Sequence, residues 1–299
     1  MAGVVGRRRF AVTAGLAMAA VSTAASRAID AETPVRVPDP SRTADGALRI
    51  GYGASPDNFG DLYLPDGPGP HPVIVLVHGG GWSQNRTLSQ FAPHARALAE
   101  QGVAVWNIEY RRVNGAGGWP STLTDADDAV AALATVVRQS CGDRLDLRRV
   151  HLAGHSAGGH LAAWVAGRRS SPSATAWPIR LRSATLMAAV LDLEYAVSHG
   201  RDAFVRKLLG GGPDEVPERY RVAAPINHLP TGIRVSALHG DRDRVVDLEQ
   251  SRRYIAALDP ADAELRVLPG IGHGEFTDPA SPAWTATRHV LLDHVAQLR

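Results

Sequence analysis

A serine between small residues carries the clearest chemical signal in the chain. Ser156 is the third residue of Gly154-His155-Ser156-Ala157-Gly158, and this Gly-x-Ser-x-Gly pattern lies between a predicted strand and a predicted helix. A serine in that position occupies a sharp, strained turn, so its neighbours must be small. The following helix directs free N–H groups toward developing negative charge. The pattern predicts Ser156 as a nucleophile; the alternative for the pentapeptide alone is a surface turn.

A run of three glycines, residues 79–81, follows a predicted buried strand. Successive glycines let the backbone approach a substrate and turn N–H groups inward, which is how an oxyanion hole is built. We expect the N–H groups of Gly80 and Gly81, together with that of Ala157, to form this hole. Trp82 directly after the run is either a wall of the substrate pocket or a ring in the core.

Residues suited to activating the serine follow two late predicted strands. Asp241 and Asp243 follow the strand predicted over residues 233–238, and His273 follows the strand over 264–268 on a glycine-rich loop. A histidine on such a loop can take the proton of the serine hydroxyl. An aspartate can then hold the imidazole in the required tautomer. The residues alone leave open which aspartate has this role and which caps the turn.

Alternating strand and helix patterns place these residues on one sheet. Predicted strands cover residues 48–52, 59–64, 72–77, 103–108, 149–153, 184–190, 233–238 and 264–268. Predicted helices cover residues 88–101, 124–139, 156–167, 248–258 and 283–298. The alternation predicts a mainly parallel sheet covered by helices. Residues 192–230 interrupt it and predict a short cap insertion, with helices near 203–209 and 217–224.

The first 28 residues predict a twin-arginine-type signal peptide. Arg7-Arg8-Arg9 precede an uncharged run over residues 11–25, which is too short to span a bilayer comfortably. We therefore expect export to the periplasm, the cell envelope or the medium, with no stable membrane span after processing. Residues 29–46 contain three prolines and predict a linker, and residues 47–299 predict a single catalytic domain.

Composition argues against several other functions. The chain is 44% hydrophobic and 21% charged, as globular domains usually are. Four of the 32 basic residues lie in the predicted leader, and the remainder holds 28 basic and 30 acidic side chains without a stripe for nucleic acid. No metal-binding pattern or phosphate loop is found, so we expect no cofactor and no metal. A single cysteine, Cys141, predicts no internal disulfide, and no feature predicts an oligomeric state.

Taken together, these motifs resemble the esterase and lipase branch of the α/β-hydrolases, and most closely its arylformamidase (kynurenine formamidase)-like and hormone-sensitive-lipase-like members. The order Ser156, Asp243, His273 and the loop 78–82 carry the resemblance, which covers nearly all of residues 48–298. Further matching segments are residues 52–53, 59–62, 65, 106–112 and 117–120. The resemblance implies an α/β-hydrolase fold, with an eight-stranded, mostly parallel sheet, helices on both faces, and cofactor-free acyl transfer to water in two steps.

The predicted function is that of a carboxylic-ester hydrolase. In the family, the acid lies three residues after a glycine and three before a valine, which selects Asp243 over Asp241. Ser156 is then expected to attack the substrate carbonyl, His273 to shuttle the proton, and Asp243 to orient the imidazole. The backbone N–H groups of the glycine loop are expected to hold the oxyanion.

The sequence predicts the pocket and the substrate in less detail than the catalytic residues. Trp82, Trp119 and residues near 192–204 are expected to contact a small-molecule ester or amide. The short cap argues against a large lid for long-chain lipids, and the export leader weakens a formamidase role in tryptophan breakdown. One alternative is an amidase of the same mechanism, either an arylformamidase or a small-peptide hydrolase. An alternative from another class is a non-catalytic, hydrolase-like binding protein.

Overall fold

Nine strands pair into one sheet in the part of the chain that the computed structural model describes, residues 39–170, 177–200 and 203–298. They are β1 (Ser41–Arg42), β2 (Leu48–Gly51), β3 (Phe59–Tyr63), β4 (His71–Val77), β5 (Ala104–Ile108), β6 (Leu145–His155), β7 (Leu181–Met187), β8 (Arg234–Gly240) and β9 (Ala263–Leu268). The predicted leader and the linker up to residue 38 lie outside the described residues.

The strand order is β1-β2-β3-β5-β4-β6-β7-β8-β9. Pairs from β5 through β4 to β9 are parallel, whereas β1, β2 and β3 join the sheet in antiparallel fashion. The predicted α/β fold is confirmed, with one strand more than the eight expected. The extra strand, β1, has two residues within the predicted linker and pairs with β2. Two residues are too few to show a period in the sequence.

Nine α-helices occur in the described ranges. They are α1 (Ala92–Ala99), α2 (Ser121–Ala131), α3 (Val136–Cys141), α4 (Ala157–Arg169), α5 (Leu193–His199), α6 (Ala203–Leu209), α7 (Pro217–Ala223), α8 (Glu249–Ala257) and α9 (Pro282–Gln297). None of the helices in these ranges combines the length and the apolar character needed to cross a bilayer.

Two helices differ most from their predicted limits, whereas the limits of α4, α7, α8 and α9 differ from the predicted ones by only one or two residues. The segment predicted over 88–101 begins with a 3₁₀ turn, Leu88–Phe91, before α1 starts. The helix predicted over 124–139 begins earlier, at Ser121, and is interrupted before α3 because Thr135 leaves the helical region at φ −123° and ψ −105°. Thr135 precedes two valines, and β-branched side chains weaken helix propensity.

Strand β4 shows how the sheet separates two cores. Val73, Val75 and Val77 face one cluster, whereas Ile74 and Leu76 face the other, and all five are at most 2% exposed. The first cluster includes buried residues of α2 and α4, and the second includes buried residues of α1 and α9. A parallel strand covered on both faces reads as an unbroken apolar run, which is why the sequence predicted it.

Helices α5, α6 and α7 lie between β7 and β8, in the segment predicted as a cap insertion. The sequence did not predict α5, although Asp192 is a recognisable N-cap that accepts from the N–H of Tyr195 at 2.9 Å. Gln250 of α8 accepts from the N–H groups of Leu191 and Asp192, at 2.8 and 2.7 Å. Arg253, also on α8, forms an ion pair with the Asp192 carboxylate at 2.8 Å. These contacts attach the start of the cap to α8.

Candidate active site

Ser156 lies in the turn between β6 and α4. Its backbone has φ 55° and ψ −120°, a region that residues other than glycine rarely adopt. The Ser156 N–H donates to the carbonyl of Met187 at 2.8 Å, which holds the strained turn against β7. Ala157 is the first residue of α4, so its N–H has no acceptor within the helix. The turn therefore presents a serine hydroxyl beside a free backbone donor.

The glycines of the serine motif are required by close packing. A Cβ at Gly154 would overlap the carbonyl of Gly158, and a Cβ at Gly158 would overlap the carbonyls of Val77 and His78. The helix α4 therefore starts in direct backbone contact with the end of β4. This contact also brings the glycine loop after β4 next to Ser156.

Asp243 and His273 follow adjacent strands, β8 and β9, at the same edge of the sheet. The Nδ1–H of His273 donates to Asp243 Oδ2 at 2.7 Å. The second carboxylate oxygen, Oδ1, accepts from the N–H groups of Val245 and Val246, at 2.8 and 2.9 Å. With Nδ1 bonded to the carboxylate, Nε2 is the ring nitrogen that can accept a proton.

His239 at the end of β8 contacts the same carboxylate from behind. Its Nε2 lies 3.3 Å from Asp243 Oδ2 and 3.0 Å from the carbonyl of Val246, and its Nδ1 lies 2.8 Å from the Ser251 hydroxyl. Burial acts against ionisation of Asp243, but hydrogen bonds from His239 and His273 outweigh it and hold the pKa of this carboxyl well below its usual range. The aspartate is thus kept as a carboxylate.

Asp241, the other candidate, has a different position. Its carboxylate accepts from the N–H of Gly270 at 2.7 Å and shapes the turn that precedes His273. Its side chain has no contact with the imidazole of His273 among the hydrogen bonds of the described residues. The structure therefore brings Asp243, and not Asp241, to the histidine.

Ser156 and His273 line one cavity of about 440 Å³. Within the described ranges, no hydrogen bond joins Ser156 Oγ to the imidazole of His273. Phe204 of α6 and Val245 stand on the cavity wall with 44% and 43% of their surface exposed. Two of the large exposed apolar side chains of the described residues therefore lie in the same cavity as the serine.

The glycine loop faces this cavity. Gly80 and Gly81 have φ angles of 107° and 61°, in the region that favours glycine. Both residues line the cavity with Ala157, and the hydrogen bonds of the described residues include no internal acceptor for the N–H of Gly80 or Gly81. A Cβ at Gly80 would overlap the side chain of Arg86, which packs over the loop. Three backbone donors are therefore available around the serine.

A buried polar network supports the glycine loop from below. His78 Nε2 lies 2.8 Å from a carboxylate oxygen of Glu109, and the Tyr110 hydroxyl donates to the His78 carbonyl at 2.9 Å. The rings of His78 and Tyr110 stack at 4.5 Å. The other oxygen of Glu109 accepts from the N–H of Leu88 at 3.1 Å. Since all of these groups are buried, the loop has little freedom to move away from the serine.

The two predicted pocket tryptophans are placed differently. Trp82 is 1% exposed, lines the cavity, and also belongs to the core, so it combines both of the roles considered for it. Trp119 is absent from the cavity wall. Its side chain packs against the core, and its backbone N–H donates to the carbonyl of Leu208 at 2.8 Å, which supports the cap. Of the predicted segment 192–204, Tyr195, Phe204 and two smaller residues line the cavity.

Two histidines beside the serine have separate contacts. His160 lies 3.0 Å from the carbonyl of Ala223 and joins α4 to α7. His155 lines the cavity, and its Nε2 lies 3.0 Å from the His273 carbonyl. Its position directly before Ser156 is the signal that could have identified it from the sequence.

Two other serine–histidine contacts are buried in the core and involve side chains of β6, β7, β8 and α9. His151 Nδ1 is 2.8 Å from the Ser183 hydroxyl, and His294 Nε2 is 3.1 Å from the Ser236 hydroxyl. All four residues are buried and none lines the cavity of Ser156. These pairs are structural, because no substrate can reach the hydroxyls. Across the described part of the chain, no group of three or more His, Cys, Asp or Glu side chains could hold a metal ion.

Comparison with known proteins gives consistent results. The family model described as BD-FAE matches residues 60–258. Esterase LipC of Mycobacterium tuberculosis is 32% identical, over 89% of this chain and 72% of LipC. A monoacylglycerol lipase of Mycolicibacterium smegmatis is 26% identical, over 78% of this chain and 89% of the lipase.

A solved structure gives the same fold. The butyrate-bound structure of the thermophilic esterase Est2 from Thermogutta terrifontis aligns with a TM-score of 0.66 and 23% identity, over 84% of this chain and 94% of that one. At this identity the likeness bears on the fold alone. The family-model match and the similarity to LipC confirm the resemblance to the esterase and lipase branch, whereas the narrower likeness to arylformamidases stays a prediction.

Proposed function

The chain belongs to the BD-FAE family and is a carboxylic-ester hydrolase, and we propose that it acts through a Ser156–His273–Asp243 triad with an acyl-enzyme intermediate. The observation that carries the triad is the 2.7 Å hydrogen bond from His273 Nδ1 to an ionised Asp243, beside a strained serine on the same cavity. The carboxylate holds the imidazole so that Nε2 is the basic nitrogen.

In the first half-reaction, Ser156 Oγ attacks the ester carbonyl carbon while His273 Nε2 takes the hydroxyl proton. The carbonyl oxygen becomes an oxyanion, and the N–H groups of Gly80, Gly81 and Ala157, which all line the cavity, stabilise it. Each such donor is worth about 3–4 kcal/mol in the transition state. The C–O bond to the alcohol then breaks, and the alcohol leaves with the proton from His273.

In the second half-reaction, water replaces the alcohol. His273 Nε2 takes a proton from the water as its oxygen attacks the acyl carbon. Collapse of the tetrahedral intermediate breaks the bond to Ser156 Oγ, which recovers its proton from the imidazole. The free carboxylic acid leaves, and the sum of the two steps is hydrolysis of one ester by one water.

We propose small esters with a short or medium acyl group, or an aromatic one, as the substrates. The cavity of about 440 Å³ has an apolar wall to which Val190, Phe204 and Val205 contribute. The cap of three short helices provides no extended trough for a long lipid chain. Apolar contact with the acyl or alcohol group therefore supplies most of the binding free energy.

Hydrolysis of a p-nitrophenyl ester series, from acetate to palmitate, tests this proposal on the mature chain. We expect turnover that declines for the longest acyl groups, and Ser156→Ala to lower kcat by at least about 10⁴-fold while the protein stays folded. The aryl formamide N-formylkynurenine is measured in parallel. Retained ester turnover in folded Ser156→Ala would refute the triad, and faster formamide than ester turnover would favour an amidase instead.

We further propose that residues 1–28 direct export, based on Arg7-Arg8-Arg9 and the uncharged run that follows them. Replacing all three arginines with lysine keeps the charge but removes the twin-arginine pattern. The expected result in a bacterial host is loss of the protein from the periplasm or medium and its accumulation in the cytoplasm. Unchanged distribution between the fractions would contradict twin-arginine export.

A further inference from the structure

His155 lies between the strand that carries the nucleophile and the loop that carries the base. It is the last residue of β6, directly before Ser156, and is 3% exposed. Its Nε2 lies 3.0 Å from the backbone carbonyl oxygen of His273, and the centroids of the two imidazole rings are 4.6 Å apart. The residue thus contacts the main chain of His273, whereas Asp243 contacts its side chain.

The partner of Nε2 determines the protonation of this ring. A carbonyl oxygen only accepts hydrogen bonds, so Nε2 carries the proton and donates it. Burial, together with the neighbouring His273, lowers the pKa of His155 to about 3. His155 is therefore neutral at neutral pH and adds no positive charge beside His273 when that ring takes the serine proton.

The loop of His273 needs such an anchor. It contains Gly270, Gly272 and Gly274, and its other backbone contacts are to the neighbouring turn, where the carbonyls of Leu268 and Ile271 accept from residues 241 and 242. Those contacts fix the loop relative to Asp243. The hydrogen bond from His155 fixes the loop relative to β6, the strand that leads to Ser156. Proton transfer depends on the distance between this loop and Ser156.

We infer that His155 is a positioning residue that sets the reach of His273 Nε2 toward Ser156 Oγ by holding the His273 carbonyl. This rests on the proposed triad. Ser156 is attached to His155 by a peptide bond, so a single donor ties the base to the residue adjacent to the nucleophile. A displacement of about 1 Å between reacting groups can lower a rate by roughly 100-fold, so a bond of this kind affects turnover.

Substitution with glutamine and with methionine separates the hydrogen bond from packing. Glutamine Nε2 is as many bonds from Cα as histidine Nε2 and can donate to the same carbonyl. Methionine has the same length and ends in a methyl group. We expect His155→Gln to keep kcat within about 3-fold, and His155→Met to lower kcat by roughly 30- to 100-fold with KM changed less than about 2-fold.

Thermal unfolding of both variants is measured beside the kinetics. If His155→Met does not fold, His155→Asn replaces it, because its shorter amide cannot reach the carbonyl, and the same loss of kcat is expected. Equal kcat in the glutamine and methionine variants, whether high or low, would overturn the inference. A failure of the triad itself is recognised separately, since folded Ser156→Ala would then retain activity.

Discussion

Serine and histidine side chains meet within the sheet and also at the edge where its parallel strands end, in different surroundings. Inside, the pairs His151–Ser183 and Ser236–His294 are buried among β6, β7, β8 and α9. At the edge, Ser156 and His273 share a cavity, although no hydrogen bond joins them in the described residues.

The difference shows that a serine–histidine distance is a poor guide to catalysis. In the residues that the structure describes, no carboxylate is hydrogen-bonded to the imidazole of His151 or His294. His273 has one at 2.7 Å. The buried pairs also lack free backbone donors beside the hydroxyl. At the edge of the sheet, the glycine loop supplies such donors beside Ser156. A carboxylate, an open cavity and free N–H groups therefore distinguish the candidate site from the structural pairs.

The largest expected effect on kcat comes from replacing the Asp243 carboxylate, which distinguishes the candidate site from the buried pairs. Asp243→Asn cannot hold His273 in the required tautomer, and we expect kcat for p-nitrophenyl esters to fall about 10⁴-fold. Asp241→Asn is the matched control, because an asparagine oxygen can still accept from the N–H of Gly270. Its kcat is expected to stay within about 3-fold of the parent chain. A larger loss in Asp241→Asn than in Asp243→Asn would reverse the assignment.

A smaller effect concerns stability in acid, to which the buried histidines His151 and His294 contribute. Burial is the main reason that the pKa of His294 falls to about 4 and that of His151 to about 3. In the unfolded chain both have a pKa of about 6.5, so the unfolded state binds more protons between these values. Their contribution to stability is complete above about pH 6.5 and is lost as the pH falls toward the folded-state values.

His294→Gln removes one of these titrations. Between pH 6.5 and pH 4.5, we expect the parent chain to lose about 2 kcal/mol more of its free energy of unfolding than the variant does. Urea unfolding at a series of pH values measures the difference. Parallel curves for the two chains would show that His294 is not held neutral in the folded state.

The smallest expected effect comes from replacing the buried serines of the structural pairs. Ser183→Ala and Ser236→Ala each remove a hydrogen-bond partner from a buried imidazole, which costs about 1–2 kcal/mol of unfolding free energy. Because neither hydroxyl reaches the cavity, kcat is expected to stay within about 2-fold. Urea unfolding and ester turnover at neutral pH are measured together. A large fall in kcat in a stably folded variant would give these serines a role in the reaction.

Local sequence predicted the parts of the site that depend on neighbouring residues. The strained turn at Ser156 requires small side chains at Gly154 and Gly158, and β4 must be apolar on both faces. The sequence was a less accurate guide to segments whose structure depends on tertiary contacts. Thr135 interrupts a helix that the spacing of apolar residues predicted as continuous. Helix α5 depends on contacts with Gln250, a residue far along the chain.

By itself, the sequence determined the fold class, because strand and helix patterns alternate along residues 48–298, and it predicted Ser156 as the nucleophile from the small residues around it. The family resemblance selected Asp243, and the tertiary structure brings it to His273. Only the tertiary structure decided that Trp119 supports the cap instead of the pocket, and that His155 contacts the loop of His273. Those contacts join residues up to 118 positions apart. They depend on how strands and loops pack, which the local pattern of side chains does not specify.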